Sequence, residues 1–126
     1  SERIIKVFFQ VHTELRYRIL EKVYQKAYRI ALRKAGLTVE EQVPINVYFQ
    51  GEVVGEFLAD MVVNDLILLE LKSAGAIALE HEAQLLKYLK ATRFEVGYVL
   101  NFGPSATLKR KVLDNELKGS LRWLKE

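Results

Sequence analysis

Cysteine is absent from the 126 residues, which excludes disulfides, thiolate-held metals and a cysteine nucleophile. Histidine occurs only at His12 and His81; neither has a second histidine at metal spacing, and lone histidines are usually structural. No uninterrupted apolar run approaches the ~20 residues of a membrane span. No signal-peptide pattern opens the sequence, and with the missing cysteines this gives the expectation of a cytoplasmic protein without a membrane segment. Gly55, Gly97 and Gly103 lie too far apart to form a phosphate-binding loop, and no serine triad can be assembled. Internal repeats and low-complexity runs are absent as well.

What remains is ordinary globular composition. Half the residues are hydrophobic and 28% are charged, enough to bury a core in a single domain over 1–126, with 114–126 expected as a tail. The net charge of +3 and pI near 9.1 lean only mildly toward an anionic partner. Ile4, Ile5, Phe8, Phe9, Val11 and Leu15 recur at helical spacing. Ile19, Leu20, Val23, Tyr24, Ala27, Ile30 and Ala31 predict a second helix, stopped by Gly36. Strands follow over Val39–Gln50 and Val53–Val63, with Gly55 as a possible bulge, and over Leu66–Lys72. A helix over Glu80–Thr92, a strand over Val96–Phe102 and an edge strand over Leu108–Leu113 complete the α/β pattern. The order is helix, three strands, helix, strand.

Within that pattern one charged group stands out. Asn64-Asp65 suits a two-residue hairpin turn, which brings Asp60 beside Glu70. Alternation sends Glu70 and Lys72 out on one face of an apolar strand, where unpaired charge is costly. Two carboxylates and an amine there could hold a divalent metal and organise a water. Hard oxygen ligands suit Mg²⁺ or Mn²⁺. Leu71 points to the opposite face, but its backbone carbonyl could be a further ligand, while Lys72 could activate water or stabilise transition-state charge. The plain alternative is a structural ion pair across the hairpin.

An acid on one strand and acid-x-lysine on the next resembles the PD-(D/E)XK nuclease superfamily. Gln84-x-x-x-Tyr88 is similar to the helix that follows the catalytic strand in its RecB-type branch. Leu20-Glu21-Lys22-Val23-Tyr24, Gln42-Val43-Pro44, His81-Glu82-Ala83-Gln84-Leu85 and Asn101-Phe102 resemble the GxxExxY group within it. The likeness spans about residues 4–112. Two departures are visible: Arg16-Tyr17-Arg18-Ile19 replaces the group's glycine-containing turn, and Leu58 stands where an Arg or Lys often precedes the first acid.

The resemblance implies a restriction-endonuclease-like core, with a mixed central sheet flanked by helices. It also implies a Mg²⁺- or Mn²⁺-dependent nuclease acting on nucleic acid, with DNA the favoured substrate. Asp60, Glu70 and the Leu71 carbonyl would bind metal, and Lys72 would serve the chemistry with help from Gln84 and Glu21. Periodicity alone leaves Glu21 solvated, and only the resemblance gives it a role. Tyr88 shares the Gln84 helix face and would meet substrate, as would Lys109-Arg110-Lys111, although a short basic run is usually just solvated. Glu56 is a weaker extra acid. The small size favours a homodimer or a partner protein that supplies specificity. The competing readings are a non-catalytic module binding nucleic acid or protein, and an oligomerisation domain using Phe8, Phe9 and Tyr17.

Overall fold

Ile4, Val7, Phe8 and Val11 sit three or four residues apart and are the buried residues of the first helix, α1 (Glu2–Leu15). The structure, a computed structural model, describes residues 1–119; the part of the expected tail from residue 120 onward lies outside the described residues. Helix α2 (Glu21–Lys34) follows, then β1 (Val39–Phe49), β2 (Glu52–Val63), β3 (Ile67–Lys72), α3 (Leu79–Ala91), β4 (Val96–Phe102) and β5 (Ala106–Val112). The five strands form one sheet in sequence order. All neighbours are antiparallel except β3 and β4, which run parallel and are joined through α3. This is the mixed α/β core that the sequence predicts.

Helices α1 and α2 cover one face of the sheet, where Tyr24, Tyr28 and Leu32 meet Leu69, Leu71, Tyr98, Leu100 and Phe102. The buried face of α2 is therefore turned from the predicted one: Leu20, Val23 and Ile30 are exposed. Tyr28 can enter the core because its hydroxyl donates to the Ile4 carbonyl at 2.8 Å, satisfying the polar end. Phe8 is wholly buried against Phe102, at 4.9 Å between ring centroids, so it cannot belong to an exposed dimer face.

Helix α3 covers the other face through Leu85, Tyr88 and Leu89, packed with Leu68 and Val99. Its close approach needs Gly97, where a Cβ would lie 2.8 Å from Leu85 Cδ1 and 2.9 Å from the Leu68 carbonyl oxygen.

The β1–β2 hairpin changes layers along its length. Val39, Met61 and Val63 belong to the α1/α2 side, whereas Ile45 and Ala59 belong to the α3 side. These residues all have odd numbers, so strict alternation would keep them on one face of their strands. The switch falls at Gln42, whose φ is 51°, between the pairs Glu41–Met61 and Val43–Ala59. Asp60 is the residue opposite.

Two turns differ in detail from their expectations. Asn64 and Asp65 both have positive φ, but Leu66 joins them, making a three-residue connection between Val63 and Ile67. The β2 irregularity falls beside Gly55: Val47 pairs with Gly55 and Tyr48 with Val53, which leaves Val54 as the extra residue.

Candidate active site

Asp60 and Glu70 are laced together through the backbone. The Asp60 amide donates to Glu70 Oε2 at 2.9 Å, and the Leu71 amide donates to Asp60 Oδ2 at 2.7 Å. Each carboxylate thus has one oxygen tied to a backbone N–H, and the other makes no hydrogen bond to a described residue. Leu71 itself faces the α1/α2 core; strand alternation sends Glu70 and Lys72 to the α3 side with Leu68.

Electrostatics mark the same place. Burial pushes the Glu70 carboxyl up to about 8, and the Asp60 charge adds to that; the Asp60 amide and Lys72 oppose it. Burial likewise raises Asp60, against the pull of the Leu71 amide and Lys72. Glu21, at the start of α2, is also raised; burial leads there, Lys72, the Ser73 amide and His81 work against it, and Asp60 adds to it. Lys72 makes no hydrogen bond and no salt bridge among the described residues, which removes the cross-hairpin ion pair as its explanation.

The α3 candidates also reach this region. Gln84 Nε2 donates to the Tyr88 hydroxyl at 2.9 Å. Burial raises the Tyr88 phenol, and the Glu70 and Asp60 charges raise it further, whereas the Gln84 bond lowers it. Tyr88 also meets the Phe57 ring, 5.7 Å between centroids.

Other candidates lie elsewhere. Alternation along β5 splits the basic run: Leu108 packs on the α1/α2 side, so Arg110 faces that way while Lys109 and Lys111 face α3. Lys111 is committed to Glu82 at 2.8 Å, and it draws the Glu82 carboxyl down. Glu56 is exposed on the hairpin face opposite Phe57. His81 Nδ1 accepts from the Ala78 amide at the start of α3, with its charge also felt at Glu21, and His12 Nε2 contacts the Gly103 carbonyl oxygen at 2.7 Å.

Gln42, Asn101 and Tyr24 stand in the motifs that carry the resemblance, and the structure supplies the part each takes in holding the site. Gln42 turns the hairpin at Asp60, and nothing in a glutamine announces that. Asn101, buried and paired with Lys72 across the ladder, accepts from the Ala74 amide at 2.9 Å and donates to the Ala74 carbonyl at 3.0 Å, fixing the loop after Lys72. Its signals in the sequence were a polar residue inside the apolar Val96–Phe102 strand and the Asn101-Phe102 likeness to the GxxExxY group. Tyr24 bonds the Arg16 carbonyl and the Ile19 amide while stacking on Phe102, so it fastens the turn before Glu21.

As a donor set for a cation, two carboxylates and a carbonyl are hard oxygens, and a divalent ion would favour the ionised forms that burial disfavours in both acids. Among the described residues no group of three or more acidic or histidine side chains is placed to hold a metal. The residues fit an ion held jointly by the protein and its substrate or water, as Mg²⁺ sites commonly are.

A sheet of this topology with an acid on β2 and acid-x-lysine on β3 defines a nuclease-like α/β class. The family model of the PD-(D/E)XK nuclease superfamily matches residues 1–112, and the chain belongs to that superfamily. No curated protein and no solved structure matches the chain. No helix among the described residues is long and apolar enough to cross a membrane.

Proposed function

We propose that the protein is a divalent-metal-dependent nuclease that hydrolyses phosphodiester bonds, with DNA as the favoured substrate. The observation that carries this reading is the laced pair Asp60–Glu70 beside an uncommitted Lys72. Asp60, Glu70 and the Leu71 carbonyl are the residues to hold Mg²⁺ or Mn²⁺, which in such a setting supplies Lewis-acid charge and eases ionisation of water. Lys72 places positive charge where the phosphate gains negative charge in the transition state. Gln84 and Tyr88 form a hydrogen-bonding wall on the α3 side, and Glu21 adds a carboxylate that can orient water or accept its proton. The Glu21–Tyr24 spacing is what supports placement in the GxxExxY group; the glycine of that motif corresponds to Arg18.

The test is cleavage of labelled duplex DNA, single-stranded DNA and RNA in Mn²⁺, with Asp60→Asn purified identically as control. Metal-dependent cleavage that the variant loses supports the reading. The competing binding module has one observation in its favour, the lack of a three-acid cluster among the described residues. Binding with no cleavage in any metal, unaffected by Glu70→Gln, would favour that module instead.

A further inference from the structure

Arg16 and Arg18 occupy backbone conformations that arginine rarely adopts. Arg16 has φ 66° and ψ −169°, a region kept almost entirely for glycine, and Arg18 has φ 73°. Both are exposed, and neither guanidinium donates to a described residue. Four other arginines have partners: Arg3 and Arg33 bond backbone carbonyls, while Arg29 and Arg93 pair with Glu41 and Asp65; Arg110 has none among the described residues, but it lies in regular strand β5. The strained pair has no such partner to explain it.

The turn is nevertheless held. The Tyr24 hydroxyl donates to the Arg16 carbonyl and lies 3.4 Å from the Ile19 amide. Ser73 Oγ reaches the Ile19 carbonyl at 3.5 Å and the Phe102 carbonyl at 3.4 Å. Ser73 directly follows Lys72, so the turn is fastened to the end of the strand that carries the acid-x-lysine pair.

Charge along the chain narrows what this turn can meet. From Ala35 to Leu71 there is no Lys or Arg, while Glu40, Glu41, Glu52, Glu56, Asp60, Asp65 and Glu70 all fall there. Lys72, at the end of β3, is thus the one cation that β1, β2 and β3 bring to the site, and a polyanion approaching it draws further cations from other elements. The turn supplies Arg16 and Arg18, and the start of α2 adds Lys22.

We propose that the Arg16–Ile19 turn is a phosphate clamp, in which Arg16 and Arg18 take backbone phosphates of a nucleic acid strand beside the bond presented to Asp60, Glu70 and Lys72. Guanidinium groups bind phosphate oxygens bidentately, and a pinned turn presents them with little ordering cost on binding. This explains why arginine stands where glycine would fit the backbone better. The proposal rests on the nuclease reading for its ligand, and its test does not depend on turnover.

The experiment compares wild type with an Arg16→Gly/Arg18→Gly double variant. Glycine suits both conformations, so the variant should melt at or above the wild-type temperature. Fluorescence anisotropy with a short labelled DNA duplex and single strand, in Ca²⁺ and across a salt titration, reads the clamp. The expected result is at least a tenfold weaker affinity and a log–log salt slope smaller by about one to two. Unchanged affinity and slope in the folded variant would overturn the clamp, as would a wild type that binds neither probe. If the double variant melts lower, Arg18→Asn carries the same comparison, since asparagine tolerates this backbone. Asp60→Asn keeps both arginines, so it should retain their salt dependence. Loss of the arginine effect with cleavage intact refutes the clamp alone; an arginine effect without cleavage in any metal refutes the nuclease reading alone.

Discussion

Gln42 stands across the β1–β2 hairpin from Asp60, in a left-handed conformation, at the point where the hairpin passes from one layer of the fold to the other. That placement gives a first prediction. Gln42→Gly should keep the turn and leave metal response and cleavage near wild type. Gln42→Val, whose branched side chain resists positive φ, should cost about 1–3 kcal/mol and misplace Asp60. Urea denaturation and cleavage rates, measured on both variants, check this.

The Glu70 carboxyl makes metal-free stability fall as pH rises. Its ordinary value is 4.5, and in the folded chain it is pushed up to about 8. Below 4.5 the proton is bound in both folded and unfolded chains; between there and 8 only the folded chain keeps it, so rising pH favours unfolding. Stability is fully present at low pH and lost through about 8, by up to a few kcal/mol. Glu70→Gln should flatten that slope and melt above wild type in metal-free buffer near pH 9. Urea curves at several pH values give the answer; equal slopes for the two proteins would contradict the assignment.

Lys72 has no hydrogen-bond or ion-pair partner among the described residues, so its removal breaks no direct bond, although Glu70, Asp60 and Glu21 lose a charge that favours their ionised forms. Lys72→Ala should lower metal-free stability by about 1 kcal/mol at a pH where Asp60 is ionised, and keep most of the Mn²⁺ affinity. Turnover should fall by roughly a hundredfold or more. If calorimetry showed metal binding lost together with activity, Lys72 would be holding the acids in place instead.

Tyr24→Phe removes the hydroxyl that fastens the Arg16 turn while preserving the stack on Phe102. The expected cost is about 1 kcal/mol. Hydrogen exchange should rise at residues 16–19 and stay unchanged in β3 and β4.

Much of the fold was legible because its signals are periodic. The β4 strand matches its predicted bounds, Val96–Phe102, and α3 and β3 fall within a residue of theirs. The acid-x-lysine strand showed itself as charge inside an apolar run. The buried face of α2 was misread because Tyr28 counts as half-polar in a sequence, and its burial depends on a carbonyl of α1. The face switch at Gln42 was invisible for a similar reason: a single backbone torsion reverses which residues point inward, and no side chain encodes it. The split of Lys109, Arg110 and Lys111 follows from strand alternation and was available from the sequence once Leu108 was placed in a strand.

The central claim is that Asp60 and Glu70 share one divalent ion, and metal-dependent melting tests it most directly. Wild type should melt higher as Mn²⁺ is raised through the millimolar range, by mass action on the folded state. Asp60→Asn and Glu70→Gln should stay folded and lose most of that increment. An equal Mn²⁺ increment in all three proteins would contradict the claim.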